Sequence, residues 1–271
     1  MIRRTQLTMR LMILTLLMCG CSDLLLCSCA ERLTVAEKMM WSTYPIATQK
    51  GEATGFVINC RDPHSPGKTS PVVLTSAHVL ETLGDRPMLI GLRQKLPQGG
   101  AVMLPLMLSP EKRRGGGRFY VRHPICDIAA FRVRLPDNMK SQAELVSSLN
   151  ERMLKGAGRT MHTGDEVLLL GYPEVLPGTD GGFAVLRSGK VASYPVGIRS
   201  ADNMFLINTD VYPGDSGAPV FASARFGHPE LVGILSSRIA LNENSFSHLA
   251  VAVDANAIRE TLALLDATST P

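Results

Sequence analysis

Three residues in the sequence carry the side chains that nucleophilic catalysis by serine requires. The serine, Ser216, lies in the segment VYPGDSGAPVF, residues 211–221. Because Pro, Gly, Asp and Ser are common turn residues, a tight turn is one interpretation. The other is an activated nucleophile, which needs a base for the hydroxyl proton, an acid to hold that base, and amides facing an oxyanion. The second interpretation depends on a histidine and an acid elsewhere in the chain.

His78 has the most distinctive context of the six histidines. It lies in VVLTSAHVL, where an apolar strand ends in small residues that leave an imidazole room. A polar residue that merely ends a strand is the alternative interpretation. His123 is the rival, because it lies close in sequence to Asp127.

Asp127 is the acid candidate, and it begins the apolar run of HPICDIAAFRV. A carboxylate at the start of a buried strand must find hydrogen-bond donors, and an imidazole N–H would be one. An ordinary aspartate at a strand start remains the alternative when this segment is taken alone.

The segments TSAHVL, DIAAF and PGDSGAP, in this order, resemble the trypsin/chymotrypsin superfamily of serine peptidases. GDEVLLLGYP and VLRSGKVAS are similar to bacterial secreted members. The resemblance implies that His78 is the general base and that Asp127 orients it. Ser216 would be the nucleophile that forms an acyl-enzyme. The amides of Gly214 and Ser216 would form the oxyanion hole.

The sequence departs from animal trypsins around Asp215. Nothing near the start resembles the IVGG segment whose free amine pairs with the aspartate before the serine in those enzymes. Asp215 therefore needs another partner, and Arg187 in LRSG is the candidate, as in bacterial members with a similar segment. We accordingly expect competence without an activating cleavage, with Asp215 and Arg187 as structural support. The cysteines that usually flank the histidine are missing, so Cys60 and Cys126 are expected to be buried or unpaired.

The substrate pocket receives conflicting signals. Asp210 lies six residues before Ser216, where trypsins keep the aspartate that binds Arg or Lys, but it could equally be structural. GILSSRI resembles the strand that pairs with substrate, which makes Ser236 and Ser237 candidates for the pocket wall. Arg238 could favour an acidic substrate residue or narrow the pocket. Both specificities stay open.

The elements that must position these residues are short strand-like runs broken by turns, about six on each side of a central segment. With the resemblance, they predict an all-β fold of two packed, six-stranded, chymotrypsin-like Greek-key barrels with a C-terminal helix, capped by Asp254. The predicted units are an N-terminal barrel at 30–135 and a linker or helix at 136–160. A C-terminal barrel at 161–253 and a helix with a tail at 254–271 follow.

The composition limits the partners. Hydrophobic residues make up 45% and charged residues 19%, which is typical of a globular protein. A net charge of +4 without a long basic run interleaved with aromatics gives nucleic-acid binding little support. The cysteine spacing has no metal-site form. The resemblance to serine peptidases implies protein or peptide substrates, hydrolysed without metal or organic cofactor.

Residues 1–29 have the charged, apolar, small-residue order of a secretory signal. Cys21 and Cys29 each follow a small residue, as in bacterial lipoproteins, where such a cysteine carries the lipid anchor. Plain secretion and an uncleaved anchor are the alternatives. The expected location is the periplasm, a membrane through a lipid anchor, or the extracellular space.

A rival from another functional class is a catalytically silent member of the same fold that binds proteins or mediates adhesion. The presence of His78, Asp127 and Ser216 together with Gly214 and Gly217 favours the enzyme.

Overall fold

The computed structural model describes most of the chain beyond the N-terminal segment. The described residues are 34–63, 65, 67–83, 86–96, 100–108, 118–133, 135, 137, 149–155, 161–175, 182–197, 203–223, 230–239 and 248–268. The proposed signal with Cys21 and Cys29, and most of the predicted linker, lie outside these residues. Among the described residues, no helix is long and apolar enough to span a membrane.

The first half of the described chain forms one antiparallel sheet of seven strands, ordered β5-β4-β1-β2-β3-β7-β6. A short helix α1, Val35–Trp41, precedes the sheet, and a second helix α2, Ala77–Glu81, follows β3. The strands are β1 Thr43–Thr48, β2 Gly51–Arg61, β3 Thr69–Thr75, β4 Met88–Lys95, β5 Ala101–Leu108, β6 Val121–Arg122 and β7 Ala129–Arg132.

The second half forms a closed antiparallel barrel of six strands, ordered β10-β13-β12-β11-β8-β9. A single 3₁₀ turn, Glu151–Met153, precedes it, and helix α3, Ala255–Ala267, follows it. The strands are β8 Glu166–Gly171, β9 Val185–Val191, β10 Met204–Asn208, β11 Pro219–Ala222, β12 Glu230–Arg238 and β13 Leu249–Asp254. The Asp254 carboxylate caps α3 by accepting from the Asn256 amide at 2.7 Å. The all-β class and the C-terminal helix are thus confirmed.

The first sheet has one strand more than the strand runs predict, and that strand is β1. It contains Pro45, which lacks an N–H donor and therefore weakens a strand prediction. The strand tolerates proline because β4 pairs with it only at Ile46 and Ala47, beyond Pro45.

The central strands β2 and β3 are buried on both faces. Phe56 and Leu74 point into a core shared by both halves and α3, whereas Val57 and Val73 point into a core within the first half. Neighbouring side chains of a strand point to opposite faces. A strand that is buried on both faces therefore requires an unbroken run of apolar residues. Both strands therefore have a fixed register, and the end of β3 delivers His78 to a defined position.

Candidate active site

The His78 side chain lies at the start of α2, directly after the end of β3. Ser76 and Ala77 before it are buried, and the imidazole is 47% exposed. Strand β3 is packed on both faces and helix α2 is short. The His78 ring at their junction therefore lies at the edge of the core and is partly open to solvent.

Asp127 meets His78 through two hydrogen bonds. The imidazole Nδ1 donates to Asp127 Oδ2 at 2.7 Å, and the His78 backbone N–H donates to Oδ1 at 2.9 Å. A third donor, the Ser236 hydroxyl, lies 2.8 Å from Oδ2. These contacts fix the Nδ1–H tautomer, which leaves Nε2 as the ring atom that can accept a proton.

The contact shifts the pKa of both groups. The hydrogen bond to Asp127 raises the pKa of His78 above its ordinary value of 6.5, with help from the charges of Asp127 and Glu81, and partial burial offsets only part of this rise. Burial raises the pKa of Asp127, but the hydrogen bonds and charge of His78 and the bond from Ser236 outweigh it and hold that pKa below its usual value. The pair therefore favours an ionised carboxylate beside a basic imidazole.

Ser216 lies in a turn that is tied to the first half of the chain. The Thr54 amide donates to the Ser216 carbonyl at 2.9 Å, and the Thr54 hydroxyl donates to the Gly214 carbonyl at 2.8 Å.

The Leu235 carbonyl accepts from the Gly217 amide at 2.9 Å and from the Ser76 hydroxyl at 3.0 Å. One carbonyl thus joins the residue after Ser216 to a residue two before His78.

No hydrogen bond joins the Ser216 hydroxyl to the imidazole within the part of the chain that the structure describes. The structure therefore brings His78 and Asp127 into direct contact and holds Ser216 nearby through the backbone. Nucleophile–base contacts are often long before substrate binds and tighten in the substrate complex.

The amides of the serine turn fall into two groups. Those of Asp215, Gly217 and Ala218 donate to backbone carbonyls. Those of Gly214 and Ser216 donate to no acceptor among the described residues, although Gly214 is buried. These two N–H groups, on either side of Asp215, are therefore available as hydrogen-bond donors. An oxyanion requires such a pair of donors.

Gly214 has a backbone conformation that only glycine adopts readily. Its φ is +95°, and a Cβ there would lie 2.1 Å from the Tyr172 carbonyl oxygen. Both the dihedral angle and the close backbone approach exclude a side chain.

Asp215 and Arg187 form an ion pair beneath this turn. The Asp215 side chain is 0% exposed, and Arg187 Nη1 lies 2.7 Å from Oδ2 while Nη2 contacts Oδ1. The Tyr212 amide adds a third bond to Oδ2 at 2.8 Å. The carboxylate is therefore engaged by Arg187 and by the backbone of its own turn, which it braces from inside.

The four pocket candidates occupy different positions. The Asp210 carboxylate is exposed and lies 2.5 Å from His248 Nδ1. Ser237 is exposed and Arg238 is half-buried. Ser236, a candidate for the pocket wall, directs its hydroxyl to Asp127.

Sequence reasoning missed Thr54 and the contact that Ser236 makes with Asp127. GILSSRI located Ser236 but gave no signal of its bond to Asp127. Thr54 is fully buried and makes three polar contacts to the second half, to Gly214, Ser216 and the Tyr172 amide. No pattern around a single threonine predicts that role.

Two cysteines, Cys60 and Cys126, lie among the described residues, and both are buried. They belong to the core shared by the two halves, and burial raises the pKa of the Cys60 thiol. In the described ranges, no three His, Cys, Asp or Glu side chains are grouped to hold a metal ion.

A sheet and a closed barrel of antiparallel strands, with a serine turn at their junction, define a chymotrypsin-like peptidase fold. A family model described as the trypsin-like peptidase domain matches residues 53–234. The chain belongs to that family. No curated protein matches it.

Many solved structures are similar to the chain, and two of them are forms of Rv3671c. One is a serine-to-alanine mutant of Rv3671c from M. tuberculosis H37Rv in its inactive form, at 19% identity and a TM-score of 0.51, over 88% of this chain and 92% of that chain. The other is the Rv3671c protease, also in its inactive form, at 20% identity and a TM-score of 0.49, over 85% and 92%. The similarity to the first of these structures supports the chymotrypsin-like fold.

Proposed function

We propose that the chain is a serine endopeptidase that hydrolyses peptide bonds in protein substrates through an acyl-enzyme. One arrangement carries the proposal: the Asp127 carboxylate holds the His78 ring by Nδ1, beside a serine turn with two unoccupied amides. This combination supplies an oriented base, a nucleophile and an oxyanion site together.

Acylation begins with transfer of the Ser216 hydroxyl proton to His78 Nε2 while Oγ bonds to the substrate carbonyl carbon. The imidazole then carries a positive charge, which the Asp127 carboxylate stabilises at 2.7 Å. The carbonyl oxygen becomes an oxyanion and accepts from the amides of Gly214 and Ser216.

Collapse of this intermediate breaks the peptide C–N bond, and the leaving amine takes the proton from His78 Nε2. Water then enters and gives a proton to the same nitrogen as its oxygen attacks the acyl carbon. The second collapse returns the proton to Ser216 and releases the carboxyl product.

Export is part of the proposal and is supported by the sequence of residues 1–29. Lipid modification at Cys21 or Cys29 would hold the peptidase at a membrane, and ordinary cleavage would release it.

An organophosphonate that reacts with activated serines tests the catalytic proposal. Covalent modification of Ser216 is expected in the wild-type protein, and its loss in His78→Ala while the fold is retained. Ser188→Ala, at an exposed serine on β9 that is not a candidate site residue, is the matched control and should label normally. A folded wild-type protein that does not label would refute the enzyme and favour the silent binding module.

A further inference from the structure

His123 is a buried histidine four residues before Asp127, and its ring makes three hydrogen bonds. Nδ1 accepts from the backbone amides of Ile125 at 3.2 Å and Cys126 at 2.8 Å. Nε2 lies 2.9 Å from Oε2 of Glu260 on α3. The imidazole side chain is only 4% exposed.

These partners determine the tautomer of the ring. Nδ1 receives two N–H donors, so it carries no proton, and Nε2 must carry the hydrogen that it donates to the Glu260 carboxylate. A ring with its proton on Nδ1 could accept neither amide. His123 thus has the opposite tautomer from His78, whose Nδ1 donates to Asp127.

The ring organises the backbone on both sides of Asp127. Cys126, directly before it, donates to Nδ1, and the His123 backbone amide donates to the carbonyl of Ile128, directly after it, at 2.9 Å. The Ile128 amide also donates to the Cys126 carbonyl at 2.9 Å, which closes a tight turn around Asp127. His78 and Ser236 donate to the Asp127 carboxylate and so fix its oxygens. His123 instead fixes the backbone turn that carries Asp127.

We propose that His123 is a positioning residue: a neutral Nε2–H imidazole, anchored to Glu260, that holds the turn carrying Asp127 and so sets the geometry of the His78–Asp127 pair. The effect on catalysis rests on the proposed peptidase function, whereas the tautomer and the turn do not. Displacement of a catalytic group by about 1 Å can lower a rate by up to about 100-fold.

Two substitutions separate the hydrogen-bonding role from simple packing. Asn at position 123 can offer a side-chain oxygen near the place of Nδ1, whereas Phe keeps the ring volume without an acceptor. We expect His123→Phe to lower kcat by about 10- to 100-fold with little change in KM, and His123→Asn to recover most of that loss. The control is His162→Ala, an exposed histidine paired with Asp165, which should leave kcat unchanged.

The state of His123 can also be tested without measuring catalysis. This test uses the full chain with Ser216→Ala and the native His123. Ring ¹⁵N NMR should show the Nε2–H tautomer for His123, and the Cys126 amide should exchange slowly with solvent. A proton on Nδ1, or rapid exchange at Cys126, overturns the proposal whether or not the wild-type protein is an enzyme. In an active wild-type background, a folded His123→Phe protein with unchanged kcat, or a His123→Asn protein no better than it, also overturns the catalytic part.

Failure of the peptidase proposal is recognised separately. It would appear as a wild-type protein that neither labels at Ser216 nor cleaves peptides, while the NMR measurement still decides the state of His123.

Discussion

The Ser236 hydroxyl and the His78 imidazole donate to the same oxygen of Asp127, at 2.8 and 2.7 Å. Ser236 lies on β12, one residue after Leu235, whose carbonyl accepts from Gly217 and Ser76. A single strand of the barrel therefore contacts the acid, the segment before the histidine and the segment after the serine. This strand holds the three parts of the site in register.

Ser236→Ala tests the contribution of this hydroxyl. A hydrogen bond to a charged group contributes about 1.5 kcal/mol, so we expect kcat/KM to fall by about tenfold while the protein stays folded. Loss of the bond should also raise the pKa of Asp127. Steady-state kinetics on a peptide substrate measures the first effect, with Ser188→Ala, at an exposed serine on β9, as control. Unchanged kinetics would mean that His78 alone holds the carboxylate.

The raised pKa of His78 predicts the acid limb of the pH profile. In the proposed mechanism His78 must be neutral to take the proton of Ser216, so kcat/KM should rise with pH through an inflection above 6.5. Asp127→Asn removes the carboxylate whose hydrogen bond and charge raise this pKa, and should move the titration midpoint of His78 to lower pH. NMR titration of His78 in a Ser216→Ala background measures it without turnover.

The same substitution should lower kcat on the order of 10⁴-fold, because an amide can bind the wrong tautomer of the ring. A midpoint that does not move in Asp127→Asn would show that another group sets the pKa of His78.

The sequence was sufficient for features that are encoded locally. Apolar runs predicted β2 and β3, and short motifs singled out His78, Asp127 and Ser216 as candidates. Contacts between distant segments were not accessible in this way: Ser236 meets Asp127 across 109 positions, and Thr54 meets Gly214 across 160. Such partners depend on how the two halves pack, and no local period or spacing reports on that packing.

Gly214→Ala tests the oxyanion turn, and Gly164→Ala is a matched control. Both glycines have a left-handed φ, +95° and +92°, but a Cβ meets the Tyr172 carbonyl only at Gly214 and nothing within 4 Å at Gly164. Each substitution should cost about 1–2 kcal/mol in backbone strain. Only Gly214→Ala should also displace an amide that we propose binds the oxyanion, and so lower kcat by about 10²- to 10³-fold.

Organophosphonate labelling rates and unfolding midpoints distinguish these effects. Equal loss of labelling in both variants would assign the effect to general destabilisation rather than to the amide.

Arg187→Met should destabilise the fold by about 3–5 kcal/mol, because it leaves the buried Asp215 carboxylate without its cation. Arg187→Lys should be intermediate, since an ammonium group cannot reproduce the two-pronged contact. Denaturant unfolding gives the free energies, and Lys190→Met, an exposed position on the same strand, is the control. A loss below about 1 kcal/mol in Arg187→Met would contradict a supporting role for this pair.

Asp210 and His248 bear on substrate preference. The Asp210 carboxylate is 55% exposed and already bonded to His248, so its attraction for a substrate Arg or Lys is partly offset. His248→Ala should therefore raise the preference for Arg or Lys over an uncharged residue by up to about fivefold, because an exposed polar contact of this kind contributes at most about 1 kcal/mol. Asp210→Asn should cancel this gain in the double variant.

Cleavage profiles on a peptide library measure these preferences, with His162→Ala as the matched exposed histidine. If His248→Ala leaves the profile unchanged, Asp210 does not contact the substrate side chain. If the wild-type protein prefers acidic residues and Arg238→Ala abolishes that preference, Arg238 is the charge that selects the substrate. The two charges thus predict opposite profiles, and one library decides between them.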